Sequence, residues 1–307
     1  MASALITTPG VRKSRRVTGS PVLPWLVRLT WIVLPFTVGP VLADALDDRS
    51  VQVRGTASVG LWLVWAVVLV ATLVPRDVGL TVLRVAAPAG LCAVLVAVGA
   101  AEAGRPAAAL AVSTALVAAA VAFLPEVGWL FVNGSAYGDE RRHLLRAPGA
   151  LLLGPLPLAW AALVAGIVVG PLLLASERWL AGGAATVVGL GVAAVVARAL
   201  HSLTRRWAVL VPAGLVLKDH LAILDPVLFR RTEIEVLRPA PADTDALDLT
   251  VRAPGLALEL RLLDKVSLVR VVPGSKGQQG RTARLLFTPT RPGAVLADAH
   301  RRRIPVG

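Results

Sequence analysis

The chain has 307 residues, of which 56% are hydrophobic and only 17% are charged. Soluble domains carry about 25% charged residues, so this composition predicts a membrane protein. The net charge of +13 would suit nucleic-acid binding, but arginine enrichment on the cytoplasmic side of a membrane accounts for the same charge. We therefore expect a lipid bilayer as the main partner and no nucleic acid.

Residues 1–22 are polar and basic, which predicts a disordered cytoplasmic tail. Residues 23–201 form an apolar block, which we interpret as a transmembrane domain. A helix needs about 20 apolar residues to cross the hydrocarbon core of a bilayer. Six segments meet this requirement, at residues 24–43, 59–74, 80–101, 106–124, 151–174 and 179–200.

Basic residues in the connections between these segments predict the orientation of the bundle, because cytoplasmic loops carry an excess of arginine and lysine. With the amino terminus inside, the inner connections hold Arg12, Lys13, Arg15, Arg16, Arg76, Arg84, Arg141, Arg142, Arg146, Arg205 and Arg206. The outer connections hold fewer basic residues, and acidic residues accompany them. The pattern predicts a multi-pass membrane protein with both termini in the cytoplasm. Abundant Ala, Val, Leu and Arg with only four lysines suggests a bacterial genome, so we expect the bacterial plasma membrane.

The longest polar interruption of the block, residues 131–149, is the candidate functional site. It contains an acidic pair and three arginines within a few residues, together with Asn133 and Tyr137. A topological loop is one interpretation; a basic site for lipid headgroups or a site of docking to the C-terminal region is another. The residues that would form such a site are Asn133, Tyr137, Asp139, Glu140, Arg141, Arg142 and Arg146.

No pattern in the chain predicts a catalytic centre, a metal site or a cofactor. Asp139 and Glu140 are adjacent, so on a helix their carboxylates would point about 100° apart and would not converge on one proton. The four histidines are isolated in the sequence, and the single cysteine has no partner for a zinc site. We therefore expect a protein that is not an enzyme and needs no cofactor.

Residues 202–307 differ in composition from the block before them, with more charge and an alternation of period two. Residues 207–211 and 215–218, separated by a turn, predict a β-hairpin. Further strands are predicted at 221–224, 233–237, 247–252, 256–262, 266–272 and 283–287, and a helix at 292–303. The fold class is therefore an α-helical membrane bundle followed by a β-rich cytoplasmic domain.

The order of strands followed by one helix resembles a bacterial pleckstrin-homology-like (PH-like) domain. The sequences that carry the resemblance are RWAVLV at 206–211, GLVL at 214–217, EIEV at 233–236 and the helix after Thr288-Pro289. The whole chain is also similar to uncharacterised multi-pass membrane proteins of actinobacteria, through NGSAYGDERR at 133–142 and LRAPG at 145–149. The resemblance implies an interaction module rather than a catalyst.

Three functions are compatible with these features. The first is a scaffold or adaptor that presents the PH-like domain to a protein partner or to the inner leaflet. The second is an exporter of a lipid-like substrate; the near absence of charge inside the apolar segments argues against an ion-coupled carrier. The third is a membrane enzyme that acts on a lipid-linked substrate through the loop at 131–149.

Overall fold

The computed structural model describes residues 22–100, 104–272, 274 and 277–307. Except for Val22, the predicted tail lies outside these residues. So do Pro273, Ser275 and Lys276 of a glycine-rich segment that the sequence places between two strands. The helices are α1 Val22–Thr37, α2 Gly39–Asp44, α3 Val51–Leu73, α4 Asp77–Ala100, α5 Arg105–Phe123, α6 Pro125–Asn133, α7 Gly149–Leu152, α8 Pro155–Ala175, α9 Trp179–Leu203 and α10 Pro292–Arg301.

Within the described residues, five helices are long and apolar enough to cross a membrane: α3, α4, α5, α8 and α9. The chain therefore has a multi-pass, membrane-embedded part, as its composition predicts. The first predicted segment differs, because it is divided at Val38 into the 16-residue α1 and the six-residue α2. Pro35 and Pro40 flank this division, and proline removes a hydrogen-bond donor from a helix.

A reciprocal pair of tryptophans joins α1 to α3. Pro35 has no N–H, so the carbonyl of Trp31, four residues earlier, lacks its usual helical donor. The indole Nε1 of Trp65 donates to this carbonyl at 3.0 Å, and Nε1 of Trp31 donates to the carbonyl of Trp65 at 2.9 Å. In an apolar environment each unsatisfied backbone group is costly, so this exchange compensates for the proline.

The C-terminal region is rich in β-structure and forms two sheets. Sheet 1 has the order β1-β2-β3-β4 and sheet 2 the order β5-β7-β8-β6. The strands are β1 Arg141–Leu144, β2 Trp207–Val211, β3 Gly214–Lys218, β4 Val227–Arg230, β5 Ile234–Pro239, β6 Leu247–Asp248, β7 Leu258–Arg270 and β8 Gln278–Phe287. All pairings are antiparallel except that of β6 with β8, and α10 follows the last strand.

The predicted hairpin is confirmed as β2 and β3, and the predicted final helix as α10. The strand prediction at 221–224 was wrong, and that at 247–252 holds only for its first two residues, whereas those at 256–262 and 266–272 are confirmed as parts of one strand. Residues 221–224 form a turn that contributes one isolated bridge, between Ile223 and Arg270. Residues 256–262 and 266–272 belong to the single strand β7, in which a register shift between Arg261 and Val266 accommodates the break in alternation. The segment 247–252 forms only the two-residue β6, and β4 was not predicted.

Strand β1 comes from the polar loop and not from the C-terminal region. It pairs with β2 from Arg141 opposite Leu210 to Leu144 opposite Trp207. The hairpin of α8 and α9 is therefore an insertion between two neighbouring strands of one sheet. A β domain bounded at residue 202, as the sequence suggested, omits this edge strand.

Sheet 1 contacts a hydrophobic core on each face. Alternate side chains of β2 point to opposite sides. Trp207 and Val209 join the core of the helical bundle, together with Leu144 of β1. Ala208 and Leu210 join the core between the two sheets. The β domain is thus packed directly on the bundle.

Glycines bring α8 and α9 into close contact. A Cβ atom added to Gly189 would lie 2.5 Å from the carbonyl oxygen of Gly166, and one added to Gly182 would lie 2.7 Å from the backbone nitrogen of Leu174. Small residues allow helices to approach closely where the surrounding lipid gives no hydrophobic driving force. The GxxxG sequence of Gly166 and Gly170 therefore acts in packing within one chain.

We expect Gly189→Ala to destabilise the α8–α9 hairpin by about 1–3 kcal/mol, because the added methyl group meets backbone that cannot move independently. Gly191→Ala is the matched control, since a Cβ there meets nothing within 4 Å. Thermal unfolding of the purified protein in detergent measures both variants. Equal unfolding temperatures for the two would contradict the close approach.

Candidate functional site

The polar loop is held in place by Asn133 at the end of α6. The Asn133 side chain donates from Nδ2 to the carbonyl of Arg142 at 2.8 Å and accepts at Oδ1 from the Arg142 amide at 2.9 Å. It therefore pairs with the backbone of β1 as a neighbouring strand would. The same Nδ2 donates to the carbonyl of Trp129 at 2.9 Å, which ties β1 to α6.

The predicted acidic pair contributes to loop structure. Glu140 accepts a hydrogen bond from the backbone amide of Tyr137 at 2.8 Å and forms an ion pair with Arg142. Asp139 contributes its backbone carbonyl, which accepts from the guanidinium of Arg302 after α10. The Tyr137 side chain is 89% exposed. These contacts do not bring the two carboxylates to a common point.

The three predicted arginines do not converge on one headgroup site either. Arg141 and Arg142 are consecutive in β1, so their side chains leave opposite faces of sheet 1. Arg146 follows the strand, and its backbone amide donates to the carbonyl of Thr288 at 2.9 Å. Its Nε is buried and has no hydrogen-bond partner in the part of the chain that the structure describes.

A buried ion pair that the sequence analysis missed fixes this loop to the β domain. Arg206 donates from Nε and Nη2 to the two carboxylate oxygens of Asp219, at 2.6 and 2.7 Å. Its Nη1 donates to the carbonyl of Arg146 at 2.8 Å. Both charged side chains are 1% exposed. The pair thus connects the segments that flank the inserted α8–α9 hairpin.

A second buried pair joins β1 to α10. Nε2 of His143 is 3.0 Å from Oδ2 of Asp298 in α10, although the ring makes no aligned hydrogen bond with any described residue. Arg301 also contacts the Asp298 carboxylate. Burial by itself would raise the pKa of Asp298, but the contacts with His143 and Arg301 outweigh it and lower the pKa.

A cleft of about 700 Å³ opens between α4, α9 and the end of β3. Its apolar wall includes Val78 and Val82 of α4 with Ala194 and Ala197 of α9. Its basic wall consists of Arg198, Arg205 and Lys218, with His201 and His220 beside them. A hydrophobic surface therefore meets a group of cations at the end of the bundle where the β domain lies.

The positive charge in the cleft is only partly neutralised. Arg205 is 4.0 Å from the carboxylate of Asp77. Burial lowers the pKa of Lys218, and the charges of Arg205 and Arg142 lower it further, while Asp77 opposes the change. Burial also lowers the pKa of His220. Of the charged groups that act on Lys218, two are cations and one is a carboxylate.

Lys218 and Arg142 lie against the same indole ring. The guanidinium carbon of Arg142 is 4.7 Å from the ring centroid of Trp207, and Nζ of Lys218 is 5.0 Å from it. A cation over the face of tryptophan is attracted by the ring quadrupole. Trp207 thereby holds Lys218 at the end of β3. Among the site residues predicted from sequence, Arg142 is connected to the cleft, because it contacts the same Trp207 ring as Lys218.

No protein-family model, curated protein or solved structure matches this chain. Among the residues that the structure describes, no group of three histidine, cysteine, aspartate or glutamate side chains is placed to hold a metal ion. The candidate site therefore consists of the basic cleft and of the two buried pairs that position the strands beside it.

We expect Asp219→Ala to destabilise the protein by about 3–5 kcal/mol, because it leaves the Arg206 guanidinium buried without its partner. Asp245→Ala is the control, because the Asp245–Arg284 pair is exposed at 75% and 42% and such pairs contribute about 0–1 kcal/mol. Thermal unfolding followed by tryptophan fluorescence compares them. An Asp219→Ala variant as stable as Asp245→Ala would show that the buried pair is not a major contributor.

The Asp298 carboxylate is expected to make stability sensitive to acid. Its pKa is lower in the folded protein than in the unfolded chain, so its stabilisation is present above the unfolded value of about 4. It is lost as the pH falls through the folded value. Asp298→Asn should lower the unfolding temperature at neutral pH and flatten its decline below about pH 4. Asp264→Asn, at an exposed residue, serves as the control. If Asp298→Asn left the dependence of the unfolding temperature on pH unchanged, the role given to the Asp298 carboxylate would be contradicted.

Proposed function

We propose that the protein is a non-enzymatic scaffold of the bacterial plasma membrane that fixes a PH-like domain against the inner leaflet. The observation that carries the proposal is the pairing of β1 with β2 around the α8–α9 insertion. Two helices that are long and apolar enough to cross a membrane connect neighbouring strands of one sheet, which supports a position of that sheet at the membrane surface. Sheet 1 also packs on the bundle, which prevents the domain from moving freely.

We count α1 and α2 together as the first of six spans. Backbone hydrogen bonds continue across their division, from the Val38 amide to the Leu34 carbonyl and from the Leu42 amide to the Val38 carbonyl. At 1.5 Å per residue, the segment from Val22 to Asp44 extends over roughly 33 Å, about the thickness of the hydrocarbon core. With six spans, both termini would lie on one side of the membrane, and the basic connections favour the cytoplasm as that side.

The PH-like assignment is supported by two mainly antiparallel sheets closed by a final helix. The domain departs from a simple succession of strands in two ways. Its edge strand β1 precedes the α8–α9 hairpin, and β6 pairs in parallel with β8. Both features add pairing at sheet edges, and the first also ties the domain to the membrane part of the chain.

A cavity among α1, α4 and α5 is too small for a lipid-like substrate, which favours an anchoring role over export. The cavity between Trp31, Leu91 and Ala115 has a volume of about 40 Å³, which has room for one or two water molecules. Ligand pockets measure about 300–1,000 Å³. The cleft beside Lys218 reaches that size, but it lies at the end of the helices and not along their length.

Cysteine labelling tests the proposed arrangement. In a Cys92→Ala background, Ser50→Cys and Ser176→Cys place thiols in connections that six spans assign to the outside, and Thr244→Cys places one between β5 and β6. We expect a membrane-impermeant maleimide to label the first two in intact cells. Thr244→Cys should react only after the membrane is permeabilised.

Each labelling site is its own control, because denatured protein gives the maximum reaction at that position. Labelling of Thr244→Cys in intact cells, to the extent seen with Ser50→Cys, would place the β domain outside and overturn the proposed scaffold. Labelling of Ser50→Cys from the inside only would remove α1 and α2 from the set of spans and reverse the orientation of the rest.

A further inference from the structure

The cleft beside Lys218 has the two surfaces that an amphiphilic anion requires. On one side, α4 and α9 present Val82, Ala194 and Ala197. On the other, Arg198, Arg205 and Lys218 lie where the bundle meets the β domain. A volume of about 700 Å³ accommodates a phospholipid headgroup and the first part of its chains.

The cations of the cleft lack sufficient anionic partners within the chain. Among the described residues, Arg198 and Lys218 have no carboxylate within 4.0 Å, and Arg205 reaches only Asp77 at the limit of that distance. Three positive side chains therefore face one carboxylate. By contrast, Arg142, Arg206 and Arg238 are each paired with a glutamate or an aspartate. The difference indicates that the charge in the cleft serves a ligand from outside the chain.

The depth of the cleft matches the level of lipid phosphates. Asp77 begins α4 and Leu203 ends α9, so the helical lining residues lie in the first two turns of one predicted span and the last three turns of another. Arginine and lysine near the ends of membrane helices extend towards the headgroups. The polar contact of Thr81 Oγ1 with His201 Nδ1, at 3.0 Å, adds a hydroxyl group to the same level.

We propose that this cleft binds an anionic phospholipid of the inner leaflet. The phosphate lies among Arg198, Arg205 and Lys218, and an acyl chain lies along Ala194 and Ala197. This inference rests on the proposed orientation of the scaffold and specifies what its membrane-facing surface recognises. The lipid would join α4, α9 and β3, and would therefore strengthen the contact between bundle and β domain.

The test uses the full-length protein in detergent and isothermal titration calorimetry at fixed ionic strength. The probes are short-chain phosphatidylglycerol, short-chain phosphatidylcholine and glycerol phosphate without chains. We expect the wild-type protein to bind phosphatidylglycerol most tightly. The Arg198→Gln, Lys218→Gln double variant should bind it roughly thirtyfold more weakly, the change expected from two cations near the headgroup.

The matched control removes two positive charges elsewhere. Arg261→Gln with Arg284→Gln alters two exposed side chains of sheet 2, and it should bind phosphatidylglycerol as the wild type does. Arg198→Gln alone, at a side chain without a partner in the described residues, keeps the test valid if the double variant does not fold. Ala197→Phe should weaken phosphatidylglycerol binding by filling the apolar wall, and leave glycerol phosphate unaffected.

Three results would overturn the lipid site. Equal affinity of the cleft variant and the sheet 2 control would place the binding elsewhere. Equal affinity of phosphatidylglycerol and phosphatidylcholine would show that the anionic charge is not recognised. Glycerol phosphate that binds as tightly as phosphatidylglycerol would identify a site for a soluble phosphate. None of these results bears on the cysteine labelling, so the proposed scaffold is tested independently of the lipid site.

Discussion

The buried pair of Arg206 and Asp219 is the interaction on which the junction between bundle and β domain depends. Arg206 lies between α9 and β2, and its Nη1 donates to the Arg146 carbonyl before α8, so one guanidinium joins both ends of the inserted hairpin. Removing two charges from water costs several kcal/mol per ion, and good geometry must offset that cost. The two hydrogen bonds from Arg206 to the Asp219 carboxylate, at 2.6 and 2.7 Å, provide this geometry. Two apolar residues of the same volume could give similar stability. Their contacts would not be directional, however, and would not fix this backbone arrangement.

Sheet 1 connects this junction to the rest of the β domain, because it packs on both the bundle and sheet 2. Its β2 strand is buried on both faces, against the bundle through Trp207 and against sheet 2 through Leu210. A rotation of the domain away from the bundle would expose Trp207 and Leu144 to water, at about 25 cal/mol per Å² of apolar surface. The salt bridge of Arg291 with Glu126, at 3.3 Å, adds a polar contact between the start of α10 and α6. The domain is thus held at a fixed position and is not suspended from a flexible linker.

The five long apolar helices were accessible from sequence because apolar length is a local property. The β2–β3 hairpin was likewise predicted from alternation and a turn. Its register even places Arg206 opposite Asp219, one position beyond the Trp207–Lys218 pair, so this ion pair could have been recognised. Strand β1, in contrast, could not have been predicted from the sequence. Its sequence, Arg-Arg-His-Leu, has no strand-like alternation of its own, and it becomes a strand only because the distant β2 offers an unpaired edge.

The cleft illustrates why single arginines are ambiguous in a membrane protein. Arg198 taken alone is a residue that extends towards the headgroups, and Lys218 taken alone is the end of a strand. Only the fold brings them together. The same positive charges that orient a bundle during insertion can then serve a second purpose, because the positive-inside effect depends on which side they occupy and not on their spacing. Binding, in contrast, depends on that spacing. Arg142, which is paired with a carboxylate, and Arg198, which is not, therefore contribute equally to the orientation of the bundle. Only an unpaired cation such as Arg198 is available to bind an anion, so the presence or absence of a carboxylate partner distinguishes the two roles.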